Sequence, residues 1–201
     1  MRAARDLLVS YRRLPVTPWG SPNSAAIAAL VRSAAASSGL LTERQLGRIA
    51  FELASAEDLW RPLVRHVPEH RWYVRLFHDR QFDVWLLGWD VAQDTSLHDH
   101  GGSSGAFCVT EGALAEHVAD LGAPPRLGRH MHLPGAPYTF GAPYIHNLGN
   151  EGPGVASSIH AYSPPLSSMT YYKAEPRAFE PIVTIPVEGP EPSVPAAAAS
   201  A

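Results

Sequence analysis

The sequence has little cysteine, little excess charge of either sign and no long apolar run. Its 201 residues contain one cysteine, Cys108, which excludes an internal disulfide framework or a cysteine-rich zinc module and fits a reducing compartment. Sixteen basic and nineteen acidic residues give a net charge of −3. The sequence therefore has no excess of positive charge that would attract nucleic acid or an anionic membrane. We therefore expect neither a nucleic-acid nor a membrane partner.

The sequence also lacks the marks of export and of membrane insertion. Its longest apolar runs, such as residues 25–31, fall far short of the roughly 20 residues that a membrane span requires. Residues 1–20 carry no apolar block and no small-residue cleavage site of a secretory signal. A chain of this length can bury one core of its own. We expect a cytoplasmic monomer.

The chain divides into a helical first third and a β-rich remainder. Apolar side chains in residues 25–36 follow one helix face, and Thr42 with Gln45 forms a capping box at the start of a second helix. Tandem helices could form a helix-turn-helix, but no basic cluster accompanies them, so we expect helices packed on a larger core.

From residue 70 onward, short β-branched and aromatic runs alternate with Gly and Pro about every ten residues, as in a sandwich or barrel. The predicted strands are residues 72–77, 82–87, 95–100, 105–111, 113–120, 129–133, 138–140, 156–162, 170–173 and 182–186. We predict one domain: a helical segment at 1–69 packed on a β-barrel at 70–188, followed by a disordered tail at 189–201 with little to bury.

Ten histidines are many for this length, and two pairs have the spacing His-x-His. On a strand, His98 and His100 would project to one face, while Asp99 would face away. Two adjacent imidazoles suit Fe, Zn, Cu or Ni, although the motif alone is a weak signal. A second pair, His130 and His132, is an alternative candidate for the metal ligands, but it lacks a glycine-rich flank that would open space for a ligand.

The residues around the first pair resemble the cupin family. The matching positions are His98, His100, Gly112, His146 and Asn150. Gly105 stands where most cupins have a glutamate ligand, and residues 141–143 reverse the usual Pro-x-Gly order. The resemblance therefore implies a metal site of three neutral histidines, with His146 as the third. We expect the nearest ring nitrogens of the three to lie within about 4 Å of one another.

Within the cupins, residues 70 to 173 resemble the thiol dioxygenases, of which cysteine dioxygenase type I is the best-known family. The segments that carry the resemblance are Leu97 to His100 with Trp89 before them, Ser158 to Pro165, and Tyr73 to Arg75. The resemblance implies an all-β fold, a small jelly-roll barrel with the N-terminal helices outside. It also implies one Fe(II) per chain, no organic cofactor, and conversion of cysteine and dioxygen into cysteine sulfinic acid.

The same resemblance assigns roles to further residues. Ser158, His160 and Tyr162 share strand parity and would form a hydrogen-bond relay that orients the catalytic tyrosine hydroxyl. Arg75, beside Tyr73, would receive the substrate carboxylate; the alternative is that this strand face is the solvent side.

Gly105 has a second consequence. Mammalian family members have a cysteine there that becomes linked to the tyrosine matching Tyr162. Cys108 lies on the opposite strand parity from Gly105, so we expect it to be an inert core residue.

Three alternatives stay open from the sequence. The first is an enzyme acting on 3-mercaptopropionate or another small thiol acid; a glutamine typically replaces the arginine in that branch, so Arg75 favours cysteine. The second is a non-catalytic metal-binding cupin, such as a sensor or a sugar-binding module, for which the polar set on residues 158–162 has no evident use. The third is a zinc or manganese isomerase, which the missing carboxylate ligand disfavours.

Overall fold

The computed structural model describes residues 23–36, 38–122 and 125–187. It is mostly β, with 44% strand and 18% helix, which confirms the predicted all-β class with small N-terminal helices. The helices are α1 (Ser24–Ala35), α2 (Glu43–Ser55) and α3 (Glu57–Trp60). The strands are β1 (Trp72–His78), β2 (Asp83–Trp89), β3 (Ser104–Glu111), β4 (Leu114–Asp120), β5 (Arg126–His132), β6 (Pro137–Phe140), β7 (His146–Gly149), β8 (Ala156–Ser163), β9 (Ser168–Glu175) and β10 (Ala178–Pro186).

The strands form two facing antiparallel layers. The first layer is a five-stranded sheet in the order β1-β2-β8-β3-β6. The second combines the pair β10-β9 with the three-stranded sheet β5-β4-β7. Isolated bridges from His98 to His146 and to Tyr171 connect these two pieces. The segment around His98 is therefore part of the barrel wall.

The five-stranded sheet separates two apolar clusters. Its outer face, with Val84, Cys108 and Ile159, packs against α1 and α2. Its inner face, with Trp85 and Phe107, packs against the second layer. All residues of β2 and β8 are buried for this reason, since both faces of a central strand lie in a core.

The helices lie outside the barrel, as predicted. The capping box at α2 is present: the Thr42 side chain accepts a hydrogen bond from the backbone N–H of Gln45, and the Gln45 side chain accepts one from the backbone N–H of Thr42. The last of these helices ends at Trp60, and β1 begins at Trp72. The predicted tail at 189–201 lies outside the described residues. Within the described ranges, no helix has the length and apolar character to cross a membrane.

Two segments differ from the predicted strands. Residues 95–100 do not form a regular strand; Ser96 has a positive φ of 57°, and the segment pairs through single bridges. Strand β7 was not predicted, because the sequence of residues 146–149 contains no β-branched or aromatic residue. These residues form a strand because the fold places them beside β4, with which they pair.

Candidate metal centre

Three buried histidines meet between the two layers. His98 lies in the bridging segment, His100 follows it, and His146 begins β7. One ligand nitrogen of each lies within 4.8 Å of those of the other two. This is wider than the expected value of about 4 Å for the ligands of one ion, so the rings must move slightly together to share a metal.

Two of the three rings are oriented by hydrogen bonds at Nδ1. His98 Nδ1 donates to the backbone carbonyl of Ser96 at 2.9 Å, and His146 Nδ1 lies 2.6 Å from Glu116 Oε1. Because a carbonyl or a carboxylate can only accept, each ring carries its hydrogen on Nδ1, and Nε2 of the neutral ring has no hydrogen. A ring nitrogen without a hydrogen is what metal coordination requires.

His100 is different, because neither of its ring nitrogens has a hydrogen-bond partner in the described part of the chain. The residue is completely buried. Burial, together with His98 and His146, lowers the pKa of His100 well below its ordinary value, so the ring is neutral. A buried imidazole without partners is costly, and a metal ion would supply the missing interaction. The residues present therefore fit a metal.

Asp99 faces away from the cluster, as expected. Its carboxylate accepts hydrogen bonds from the backbone N–H groups of Gly101 at 2.9 Å and Thr170 at 3.2 Å, and from the Tyr172 hydroxyl at 2.7 Å. These contacts hold the turn between the two histidines against β9.

The second His-x-His pair does not join the cluster. His130 is exposed, whereas His132 Nε2 lies 2.7 Å from Glu116 Oε2. Glu116 is completely buried. Burial would raise its pKa, but hydrogen bonds from His132 and His146 outweigh burial and lower the pKa to about 2. The sequence reasoning missed Glu116; the available signal was a carboxylate at the inward parity of an apolar strand.

The predicted relay on β8 is present as a chain of contacts. Ser158 Oγ lies 2.8 Å from His160 Nε2, and His160 Nδ1 lies 3.2 Å from the Tyr162 hydroxyl. Trp89 Nε1 donates to Ser158 Oγ at 2.9 Å. Burial lowers the pKa of His160 to about 3, so its ring is neutral and carries one hydrogen.

Trp89 fixes one donor in this chain of contacts. Since Trp89 can only donate, Ser158 accepts there and keeps its own hydrogen for a second partner, for which His160 Nε2 is in reach. In that arrangement His160 Nδ1 carries the ring hydrogen and donates to the Tyr162 oxygen. The Tyr162 ring lies 5.2 Å from the ring of His100, beside the histidine cluster. The sequence placed Trp89 at the right distance but did not reveal this contact.

Arg75 and Tyr73 lie on the barrel side of β1. Arg75 pairs with Trp85 in register, and its guanidinium lies over the Trp85 ring at 5.2 Å. Tyr73 and Trp85 line a small cavity together with Tyr162. The strand face that carries Arg75 thus lies next to the inner cluster, to which Trp85 belongs, and Arg75 itself is partly buried.

Gly105 pairs with Tyr162 across β3 and β8, but the space beside it is occupied. A Cβ at Gly105 would lie 2.3 Å from Phe140 Cζ and 3.0 Å from Tyr162 Cδ1. Cys108 belongs to the outer cluster, against the helices, and burial raises the pKa of its thiol. Cys108 and Tyr162 therefore lie on opposite faces of the sheet.

Asp83 is a further buried carboxyl on the inner face of β2. Its Oδ1 accepts a hydrogen bond from the backbone N–H of Leu166 at 3.4 Å, and its Oδ2 has no partner within the described residues. Burial raises its pKa to about 7.

A sequence model of the family described as cysteine dioxygenase type I matches residues 30–175. A protein of Thermus thermophilus, TT1209, is 21% identical, with 52% of this chain and 93% of that chain covered and a TM-score of 0.46. A cupin-superfamily sugar phosphate isomerase of Silicibacter pomeroyi is 26% identical, with coverages of 53% and 67% and a TM-score of 0.42. An oxalate oxidase in complex with the substrate analogue glycolate is 12% identical, with 49% of this chain and 53% of that chain covered and a TM-score of 0.43. The chain therefore spans about half of that protein.

We expect no thioether at Tyr162, because Cys108 faces the helices and Gly105 has no side chain. The intact mass of the purified protein should equal the mass of the sequence, apart from any loss of Met1. A deficit of two hydrogens that peptide mapping assigns to Tyr162 and Cys108 would contradict this geometry.

We expect the buried carboxyl of Asp83 to make the protein less stable as pH rises. Its pKa is raised from 3.8 to about 7 in the folded state, so the folded protein holds this proton between about pH 4 and 7 while the unfolded chain releases it. The free energy of unfolding then falls across that window. The shift corresponds to a loss of at most about 4 kcal/mol, at about 1.4 kcal/mol per unit.

The variant Asp83→Asn cannot ionise and should lose less stability than the wild type between pH 5 and 8. Urea unfolding at both pH values measures the difference, with Asp58→Asn, at an exposed position, as the control. Equal pH dependence in wild type and Asp83→Asn would show that this carboxyl does not titrate in the window.

Proposed function

The chain belongs to the cysteine dioxygenase type I family, and on that premise we propose that it is an iron-dependent thiol dioxygenase that converts L-cysteine and dioxygen into cysteine sulfinic acid. The observation that carries the proposal is the buried cluster of His98, His100 and His146, with both nitrogens of His100 lacking partners in the described structure. The family is metal-dependent, and this cluster is where a metal fits.

The donor set supports Fe(II), one ion per chain, without an organic cofactor. Imidazole suits iron among other transition metals, and three neutral ligands leave the ion its full positive charge. Fe(II) bound there would supply a centre that favours the thiolate form of the substrate and activates dioxygen. The product sulfinate carries both oxygen atoms on one sulfur.

Arg75 is proposed to bind the substrate carboxylate. Its guanidinium is half-buried over Trp85, and stacking on an aromatic face restricts its plane. A planar guanidinium can form two parallel hydrogen bonds to a carboxylate. Tyr73, two residues earlier on the same face, lines a small cavity together with Tyr162, and we propose that it contacts the substrate.

Tyr162 is proposed to act through its hydroxyl, with His160 and Ser158 as its support. The neutral ring of His160 lies between the Ser158 and Tyr162 hydroxyl groups, and the proposal takes it to donate to the tyrosine oxygen through Nδ1. The Tyr162 ring lies 5.2 Å from the His100 ring, and we expect its hydroxyl to act on a substrate group bound there as a hydrogen-bond donor or a proton donor. A binding protein without catalysis would not need this arrangement.

The decisive experiment is an oxidation assay on anaerobically iron-loaded protein. We expect oxygen consumption with L-cysteine and the formation of cysteine sulfinic acid, detected by chromatography with mass spectrometry. His100→Ala should abolish both, because it removes a ligand that nothing else in the site replaces. Turnover of 3-mercaptopropionate in preference to cysteine would assign the alternative substrate, and iron binding without oxidation of either thiol would favour a sensor.

We expect Arg75→Gln to weaken the use of cysteine more than that of 3-mercaptopropionate. A charge-assisted pair is worth roughly 1.5–3 kcal/mol, or about ten- to a hundredfold in binding. Arg75→Lys should also be poor, because a point charge cannot form the same paired contact. The measurement is kcat/KM for both thiols at matched iron occupancy.

Arg80→Gln is the matched control, since Arg80 lies exposed in the turn between β1 and β2. Cysteine kinetics that are the same in wild type, Arg75→Gln and Arg80→Gln would remove Arg75 from the substrate site.

A further inference from the structure

Glu116 is the buried centre of a hydrogen-bond network that the relay on β8 does not use. Its Oε1 lies 2.6 Å from His146 Nδ1 and accepts from the Tyr144 hydroxyl at 3.0 Å, and its Oε2 lies 2.7 Å from His132 Nε2. Tyr144 in turn contacts the Tyr138 hydroxyl at 3.1 Å. Both carboxylate oxygens are therefore engaged, although the residue is completely inaccessible to solvent.

We propose that Glu116 is a positioning residue for the metal centre, which fixes the ring orientation and the tautomer of His146, with His132 and Tyr144 holding the carboxylate in place. The inference rests on the proposed function in so far as it takes His146 to be a metal ligand. It assigns a use to His132, the half of the second His-x-His pair that points inward.

The geometry favours this role over simple charge burial. A carboxylate that contacts His132 through one oxygen, and His146 and Tyr144 through the other, cannot rotate without breaking a contact. Because the Glu116 carboxylate can only accept, the contact requires a hydrogen on His146 Nδ1. Nε2 of the neutral ring then has no hydrogen and can serve as the metal ligand. Hydrogen bonds of this kind to ligating imidazoles orient the ring and increase its basicity.

The three histidines differ in what holds them. His98 is oriented by a backbone carbonyl, that of Ser96, which no side-chain substitution removes. His100 has no hydrogen-bond partner in the described residues. His146 is oriented by a side chain, so its contribution to metal binding can be changed without touching any of the three ligands.

The variant Glu116→Gln tests the proposal, because glutamine keeps the shape of the side chain but has one acceptor and one donor group. It cannot accept from His132 and His146 at the same time through opposite ends. We expect the dissociation constant for Co²⁺, measured by chelator competition, to rise about 10- to 100-fold. The visible absorption of the bound Co²⁺ should change as well, because one ligand is no longer held in place.

A matched control is Glu151→Gln. Glu151 also faces a histidine, His117 at 3.8 Å, and an arginine, Arg129 at 2.6 Å, but its side chain is exposed and contacts none of the three clustered histidines in these ion pairs. This variant should bind Co²⁺ like the wild type. His132→Gln keeps a donor for Glu116 and should have a small effect. Combining it with Glu116→Gln should add little, as expected for residues that act through one another.

Three outcomes are distinct. If Glu116→Gln lowers only the melting temperature of the metal-free protein and leaves Co²⁺ affinity and absorption unchanged, Glu116 is merely structural and the inference is overturned. If wild type binds Co²⁺ and His100→Ala does not, the metal site stands whatever Glu116 does. If wild type binds neither Co²⁺ nor Fe²⁺, the proposed function and this inference are both wrong.

Nitrogen NMR of the metal-free protein provides a readout that needs no metal at all. We expect the hydrogen of His146 on Nδ1 in the wild type and a changed or mixed tautomer in Glu116→Gln. A hydrogen on Nε2 in the wild type would overturn the inference independently of any assay for activity.

Discussion

Placing imidazoles inside an apolar barrel is the constraint on which the rest of this structure depends. Each buried ring nitrogen needs a partner, because an unpaired polar group in a core costs free energy. A backbone carbonyl satisfies His98, Glu116 satisfies His146, and neighbouring hydroxyl groups satisfy His160. Among these histidines of the described chain, His100 is the exception, since neither of its nitrogens has a partner, and one of them lies within 4.8 Å of a ligand nitrogen of each of the other two metal-site histidines.

The five-stranded sheet allows this polar interior to coexist with a stable fold. Its outer face joins the helices in an apolar cluster with no part in the chemistry. Its inner face carries the relay and the aromatic wall of the site. Adjacent residues on one strand therefore serve different purposes, as with Ala161, which packs against the helices, and Tyr162, which faces the histidines. Removing solvent from both faces also keeps His160 neutral.

The features that were predictable from the sequence follow from local pattern. Strand alternation and the capping box at Thr42 are local, and the spacing of His98, His100 and His146 is carried by the family resemblance. Other features come from tertiary pairing, which a local pattern does not contain. The irregular segment at 95–100 is held by single bridges to β7 and β9, and β7 exists because β4 is next to it. Glu116 looked like an ordinary strand residue because its partners are 16 to 30 positions away.

The bridging segment has a mechanical consequence. His98 and His146 exchange backbone hydrogen bonds in both directions, at 2.9 and 3.0 Å, and the neighbouring Leu97 accepts from Tyr172. Two of the three residues that would coordinate the ion, His98 and His146, thus also close the second layer of the barrel. Ligand binding to the folded state stabilises it by mass action, and here that stabilisation is concentrated at one joint. A metal held by His98 and His146 would therefore reinforce a joint that backbone hydrogen bonds already form, and would tie metal binding to the stability of the barrel wall.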